Sequence, residues 1–214
     1  MSDYWDGYYR RRHPELAEPS SFAIACSERL PESSSIFELG CGNGRDALYF
    51  ARRGHAVTAC DASTVAIDSL RRHVGTNGHP APVPTFVHLS FEALDGHRPR
   101  SMDVVYARFT LHAVSRTVAS RALAWTAANL DAGGRLFVEA RSVLGSLYGQ
   151  GEALGDDAFF LDGHYRRFIR RAELEAELLG LGFRVDEVVE SDGLAPLGTD
   201  DPVVIRLYAT RVPA

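Results

Sequence analysis

Short apolar runs separated by amphipathic stretches recur along the chain. Ser35-Ile36-Phe37-Glu38-Leu39 reads as a short buried strand, and residues 47–51 (Ala-Leu-Tyr-Phe-Ala) as the apolar face of a helix. The alternation continues with a strand over 55–61, a helix over 63–74, a breaker-rich loop over 75–84 and a strand over 85–90. A fourth strand over 102–109, a helix over 117–130 and a fifth strand over 133–141 follow. Residues 162–171 read as a loop. A helix over 171–183, closed by Gly182, precedes two strands, 183–190 and 202–211, joined by turn residues. Alternating strands and helices predict an α/β fold with a mostly parallel sheet, and the closing strand pair without a helix predicts one antiparallel strand. The first 30 residues form a separate aromatic and basic segment ahead of the sheet.

Between the first strand and helix stand Gly40, Gly42 and Gly44. Glycine belongs where φ is positive or where backbone must approach another group closely. A strand, a glycine turn and a helix open a nucleotide-binding α/β unit. The spacing is G-x-G-x-G rather than the G-x-G-x-x-G of dinucleotide turns, and no G-K-[ST] phosphate loop follows. Glu38 stands two residues before the first glycine, where its charge repels a pyrophosphate and suits a cation. Asp61 ends the second strand, where a carboxylate can grip both ribose hydroxyls. An adenosine ribose, no phosphate and a positive charge together describe S-adenosylmethionine.

The bulk numbers narrow the class. The 214 residues suit one domain, and 45% hydrophobic content is ordinary for a globular protein. No apolar run nears the roughly 18 residues of a membrane span, and the N-terminal residues show no signal-peptide core. Cys26, Cys41 and Cys60 lack CxxC spacing, which fits reduced thiols in a cytoplasm better than a disulfide framework or a metal site. The net charge of −5 argues against a nucleic-acid partner. Any basic site is therefore local.

Residues 38–44, Glu-Leu-Gly-Cys-Gly-Asn-Gly, resemble the first motif of the class I S-adenosylmethionine-dependent methyltransferases, and Asp61 resembles their second. MDVVYARFTLHAV (102–114) looks like their fourth strand with its acceptor-side loop. The resemblance spans about residues 35–211. It implies a Rossmann-like fold with a seven-stranded, mostly parallel sheet, one antiparallel strand and helices on both faces. It also implies S-adenosylhomocysteine as product. The chain reads as a single domain over 1–214, with 35–211 as core and the aromatic, basic 1–30 segment as either a lid or cap over the cofactor or a surface arm. The cofactor residues that the resemblance implies are Glu38, Gly40, Cys41, Gly42, Asn43 and Gly44, then Asp61, Ala62, Ser63 and Ala107. Arg45, at the helix start, reads either as partner of the cofactor carboxylate or as a solvated helix charge. Ser90 departs from the pattern, since many relatives carry an aspartate there; adenine recognition then falls to the Phe91 backbone and Glu92.

Ligands of an open parallel sheet bind beyond the C-terminal strand ends. The residues expected there are basic: Arg108 and His112 after the fourth strand, Arg141 after the fifth, then His164, Tyr165, Arg166 and Arg167. The N-terminal segment adds Tyr8, Tyr9, Arg10, Arg11 and Arg12. Guanidinium forks pair bidentately with phosphate-like oxygens, so the expected acceptor is a small oxyanion that needs no general base. Arg108, His112, Arg166 and Arg167 are the candidate reaction-centre residues; Tyr8, Tyr9, Arg10, Arg11, Arg141, His164 and Tyr165 are candidates for holding the acceptor. His112 reads equally as a general base or as loop packing. Arg170 and Arg171 are expected to pair with Glu173 to Glu177, and Arg206 to be buried and structural. GHYRRF, YARFTLHAV and the basic arm are similar to the phosphonate O-methyltransferases of natural-product (antibiotic) pathways, which implies methyl transfer to a phosphonate oxygen. A carboxylate, a hydroxyl or a metalloid oxyanion is the alternative acceptor. A cofactor-binding module without catalysis is a further alternative, while Glu38 and the glycine spacing disfavour a nicotinamide-dependent oxidoreductase.

Overall fold

The computed structural model describes residues 2–11, 18–76, 82–99, 102–196, 198 and 200–213. Arg12, expected in the basic arm, lies outside them. The central sheet is built from β1 (Ser35–Leu39), β2 (Ala56–Asp61), β3 (Thr85–His88), β4 (Val104–Arg108), β5 (Arg135–Arg141), β9 (Phe183–Ser191) and β10 (Val204–Arg211). Its order is β3-β2-β1-β4-β5-β10-β9. β10 runs antiparallel to both its neighbours, and the β1, β2, β3, β4 and β5 pairings are parallel.

Strand alternation sorts the core into two layers. Ile36, Val104, Tyr106 and Phe137 face one way and pack with α2 (Ser21–Ser27), α3 (Arg45–Arg52) and α4 (Thr64–Thr76) through Phe22, Leu48, Phe50, Ile67 and Leu70. Phe37, Val105, Leu136 and Val138 face the other way, against α5 (Arg116–Asn129) and α6 (Arg171–Gly180) through Ala122, Leu123, Leu174 and Leu178. Period-2 strands between two apolar helix layers are what a three-layer α/β fold requires. Local signals set the helix starts: the Ser20 hydroxyl accepts from Ala23 N–H at 3.0 Å, and Ser115 caps α5 through Val118 N–H.

Two features depart from the sequence reading. The stretch 162–171, expected to be a loop, contributes β8 (His164–Arg167) to a second, three-stranded antiparallel sheet with β6 (Glu152–Gly155) and β7 (Ala158–Leu161). Arg166 and Arg167 therefore sit in a strand. The N-terminal segment also divides: α2 is buried in the core, whereas α1 (Ser2–Arg11) lies over the C-terminal edge of the sheet against α4.

Candidate active site

A cavity of about 800 Å³ opens at that edge, between the strand ends and α1. One half is formed by the glycine turn and the ends of β1, β2 and β3. Glu38, Gly40, Cys41, Gly42 and Asn43 line it, with Arg45, Asp61 and Ala62 beside them and Phe91 and Glu92 beyond. All three turn glycines have positive φ. A side chain at Gly42 would run into the Tyr9 hydroxyl. One at Gly44, the N-cap of α3 at φ 75°, would overlap Leu70.

The polar groups here are positioned by the backbone. Gly42 N–H donates to one Asp61 oxygen at 2.8 Å and Ser63 N–H to the other at 2.9 Å, so the carboxylate is fixed while facing the cavity. Burial still raises the Asp61 pKa. Glu38 is 4% exposed, and its Oε2 has no hydrogen-bond partner among the described residues. Desolvation, then the charges of Asp46 and Asp61, push its pKa well above the usual carboxylate range. Asp46 accepts from Ser20 N–H, the Ser20 hydroxyl and the Tyr106 hydroxyl, each at 2.8 Å. An orphaned buried carboxylate oxygen and an acidic lining fit a cationic ligand, and the fixed Asp61 carboxylate fits a ribose diol. S-Adenosylmethionine satisfies both. Arg45 lines the cavity 3.8 Å from Asp46.

The other half is lined by Arg108, Phe109, Thr110, Ala113 and Val114 after β4, by Ala195 and Pro196 between β9 and β10, and by Trp5 and Tyr8 of α1. Arg108 Nε lies 2.8 Å from Glu139 Oε1 in an ion pair without hydrogen-bond alignment, and its guanidinium sits 4.4 Å from the Phe109 ring centroid. Arg206 binds the other Glu139 oxygen at 2.7 Å and donates to the Ser21 hydroxyl and the Leu194 carbonyl. Two guanidiniums around one buried carboxylate leave a positive charge beneath this wall.

Most of the other arginines expected at the acceptor have different partners. Arg167 is 6% exposed and donates to the Leu111 carbonyl at 2.9 Å and the Val114 carbonyl at 3.3 Å; its N–H donates to the His112 carbonyl. Arg141 pairs with Asp200 at 2.5 Å. Arg170 pairs chiefly with Asp157 at 2.8 Å rather than with the α6 glutamates, whereas Arg171 does reach Glu175. His112 is buried outside the cavity lining, and its Nδ1 accepts from Arg141 N–H at 3.2 Å. Desolvation, then Arg141, holds its pKa well below the usual value. Burial and Arg166 push His164 down to about 4. His164 touches the rings of Tyr4 and Trp5, so β8 meets α1 there. Tyr165 and Arg166 are half-buried in β8, Arg10 is exposed and Arg11 ends α1. Ala107 is buried in the core on the α5 side, and Ser63 is covered by Asp6.

Several lining residues escaped the sequence reading: Asp46, His88, Phe109, Thr110, Ala113, Val114, Ala195 and Pro196. Phe109 and Thr110 were accessible in principle, as the first residues after a strand ending at the ligand edge. The 195–196 wall comes from across the sheet and had no local signal.

Comparison with known proteins points the same way as the cavity. Residues 36–134 match the family model described as a methyltransferase domain. Over 107 residues the chain is 35% identical to an S-adenosyl-L-methionine-dependent Diels-Alderase of Talaromyces variabilis, covering 50% of this chain and 36% of that protein. Over 87 residues it is 25% identical to a 2-heptyl-1-hydroxyquinolin-4(1H)-one methyltransferase of Mycobacteroides abscessus, covering 36% of this chain and 38% of that one. The chain thus spans little more than a third of the curated relatives it matches. A SAM-dependent methyltransferase of Methanosarcina mazei shares the fold, with a TM-score of 0.78 at 18% identity over 89% of this chain and 98% of that one.

Proposed function

We propose that the protein is an S-adenosylmethionine-dependent O-methyltransferase acting on a small acceptor whose oxygen is already anionic. The observation that carries this reading is Arg108, a cation at the acceptor half of the cavity where no histidine or carboxylate stands among the described lining residues. When bound, the cofactor supplies a sulfonium-borne methyl: one C–O bond forms as one C–S bond breaks, and the acceptor's negative charge cancels the sulfonium's. An ionised oxygen needs no general base, so orientation is the chain's main contribution, an effect that reaches about 7–11 kcal/mol for well-aligned reactants. Glu38 and Asp61 hold the cofactor, and Arg108 steers the acceptor oxygen. Phosphonate is the acid the sequence resemblance implies, and carboxylate is its competitor. A neutral alcohol fits less well, lacking a base in that half.

Arg141, Arg167 and Arg170 stand outside the cavity lining and are paired elsewhere, so we assign them to shaping the site. α1 serves as the lid. A screen of phosphonates, carboxylates and alcohols, reading S-adenosylhomocysteine release, should find turnover among the acids. Turnover confined to alcohols, rising as each alcohol ionises, would count against the reading.

A further inference from the structure

The acceptor half joins one charge to a broad apolar wall. Trp5 and Tyr8 stand edge to face at 5.7 Å on the α1 side; Phe109, Val114 and Pro196 face the same space. A bare oxyanion stripped of water needs a donor for each oxygen. The described wall offers the Arg108 fork. The rest is ring and methyl surface, suited to a flat apolar body.

We propose that the acceptor is an aromatic acid, its ring held between the Trp5–Tyr8 pair and Phe109 and its ionised oxygen at Arg108. This deepens, and rests on, the methyl-transfer reading above. Both walls are braced. Phe109 sits at φ 56°, a conformation few aromatic residues adopt, and its N–H is fastened to the Glu139 carbonyl at 2.8 Å. Trp5 is backed by the His164 ring at 5.4 Å, so β8 supports it from outside. At about 800 Å³ the cavity lies in the upper part of the ~300–1,000 Å³ range of small-ligand sites, which leaves space for a ring beside the cofactor.

Matched acids test this: phenylphosphonate against methylphosphonate, and benzoate against acetate, each followed by S-adenosylhomocysteine release and by tryptophan fluorescence. The chain has two tryptophans, and Trp125 is buried with its indole N–H on the His97 carbonyl, so a signal lost in Trp5→Phe belongs to the cavity. The aryl acids should show kcat/KM at least tenfold above their methyl counterparts and a saturable fluorescence change absent from Trp5→Phe. Trp5→Ala should bring the aryl-to-methyl ratio down towards one. Equal rates within both pairs overturn the aromatic subsite and leave methyl transfer to acids standing. A Trp5-dependent fluorescence change with no product from any acid overturns the methyl-transfer reading and leaves the subsite. Neither signal from any of the four acids overturns both.

Discussion

Glu38 reaches the cavity with one oxygen lacking a partner, beside Asp46 and Asp61. Its raised pKa means that the empty pocket favours the protonated acid at a higher pH than an ordinary glutamate would. A cationic ligand favours the carboxylate. Cofactor binding should therefore release a proton, and affinity should fall as pH drops through Glu38's raised range. Calorimetry in buffers of different ionisation enthalpy reads that proton, and Glu38→Gln should bind weakly with no proton released. Asp61→Ala removes the carboxylate proposed to accept from both ribose hydroxyls, each charged hydrogen bond contributing about 1.5–3 kcal/mol, so affinity should drop at least tenfold. Unchanged affinity would remove Asp61 from the cofactor site. Both carboxylates were legible in the sequence because each has a fixed place relative to the glycine turn. What the turn glycines are packed against was not legible: Tyr9 at Gly42 lies 33 positions away in the chain and Leu70 at Gly44 lies 26 away. Those contacts exist only once α1 and α4 have docked.

At the scale of elements, the seven strands of the main sheet follow from apolar runs and breakers, whereas the β6–β8 meander did not stand out. Its strands are only four residues each, and the last, HYRR, is a basic cluster rather than an apolar run. Asp162 and Gly163, at φ 53° and 72°, form an Asp-Gly hairpin turn, a strong local signal for paired strands. The meander places Arg167 against the loop after β4, holding the Leu111 and Val114 carbonyls. Arg167→Ala should therefore raise acceptor KM several-fold while cofactor affinity stays within about twofold, and Arg167→Lys, with a single ammonium for two carbonyls, should fall between. Equal damage to both ligands would point to general loss of structure. α1 is fastened by Asp6, which accepts from the Ser63 hydroxyl at 2.6 Å and from Val65 N–H at the start of α4. Asp6→Ala should speed cofactor release several-fold in stopped-flow measurements, with little effect on melting temperature.

Across the whole molecule, Glu139 ties β4, β5 and β10 together through Arg108 and Arg206. Removing it leaves buried Arg206 and part-buried Arg108 without their shared carboxylate; breaking a buried pair typically costs about 3–5 kcal/mol, so Glu139→Ala should melt far below the parent. Glu139→Gln should be intermediate. The pH–rate profile is a second molecule-wide expectation: with His112 and His164 both held below the ordinary range, each is neutral by pH 7. The rate should stay level from about pH 7 to 8.5, and a rise through the usual histidine value near 6.5 would promote one of them to general base. The mostly parallel sheet with one antiparallel strand matched the reading because connection rules leave few choices for such an alternation; the wall at 195–196 was not legible, because it also depends on β10 inserting between β5 and β9. β10 is antiparallel, so the connection leaving β9 opens at the same edge as the glycine turn, and Ala195 and Pro196 arrive there without a crossover helix. That segment is anchored by strands on both sides and borders the acceptor half alone. Residues can be inserted or removed there at a closure cost that grows only slowly with length. On the proposed reading, it is the place where this scaffold can exchange one acceptor for another while its grip on the cofactor stays as it was.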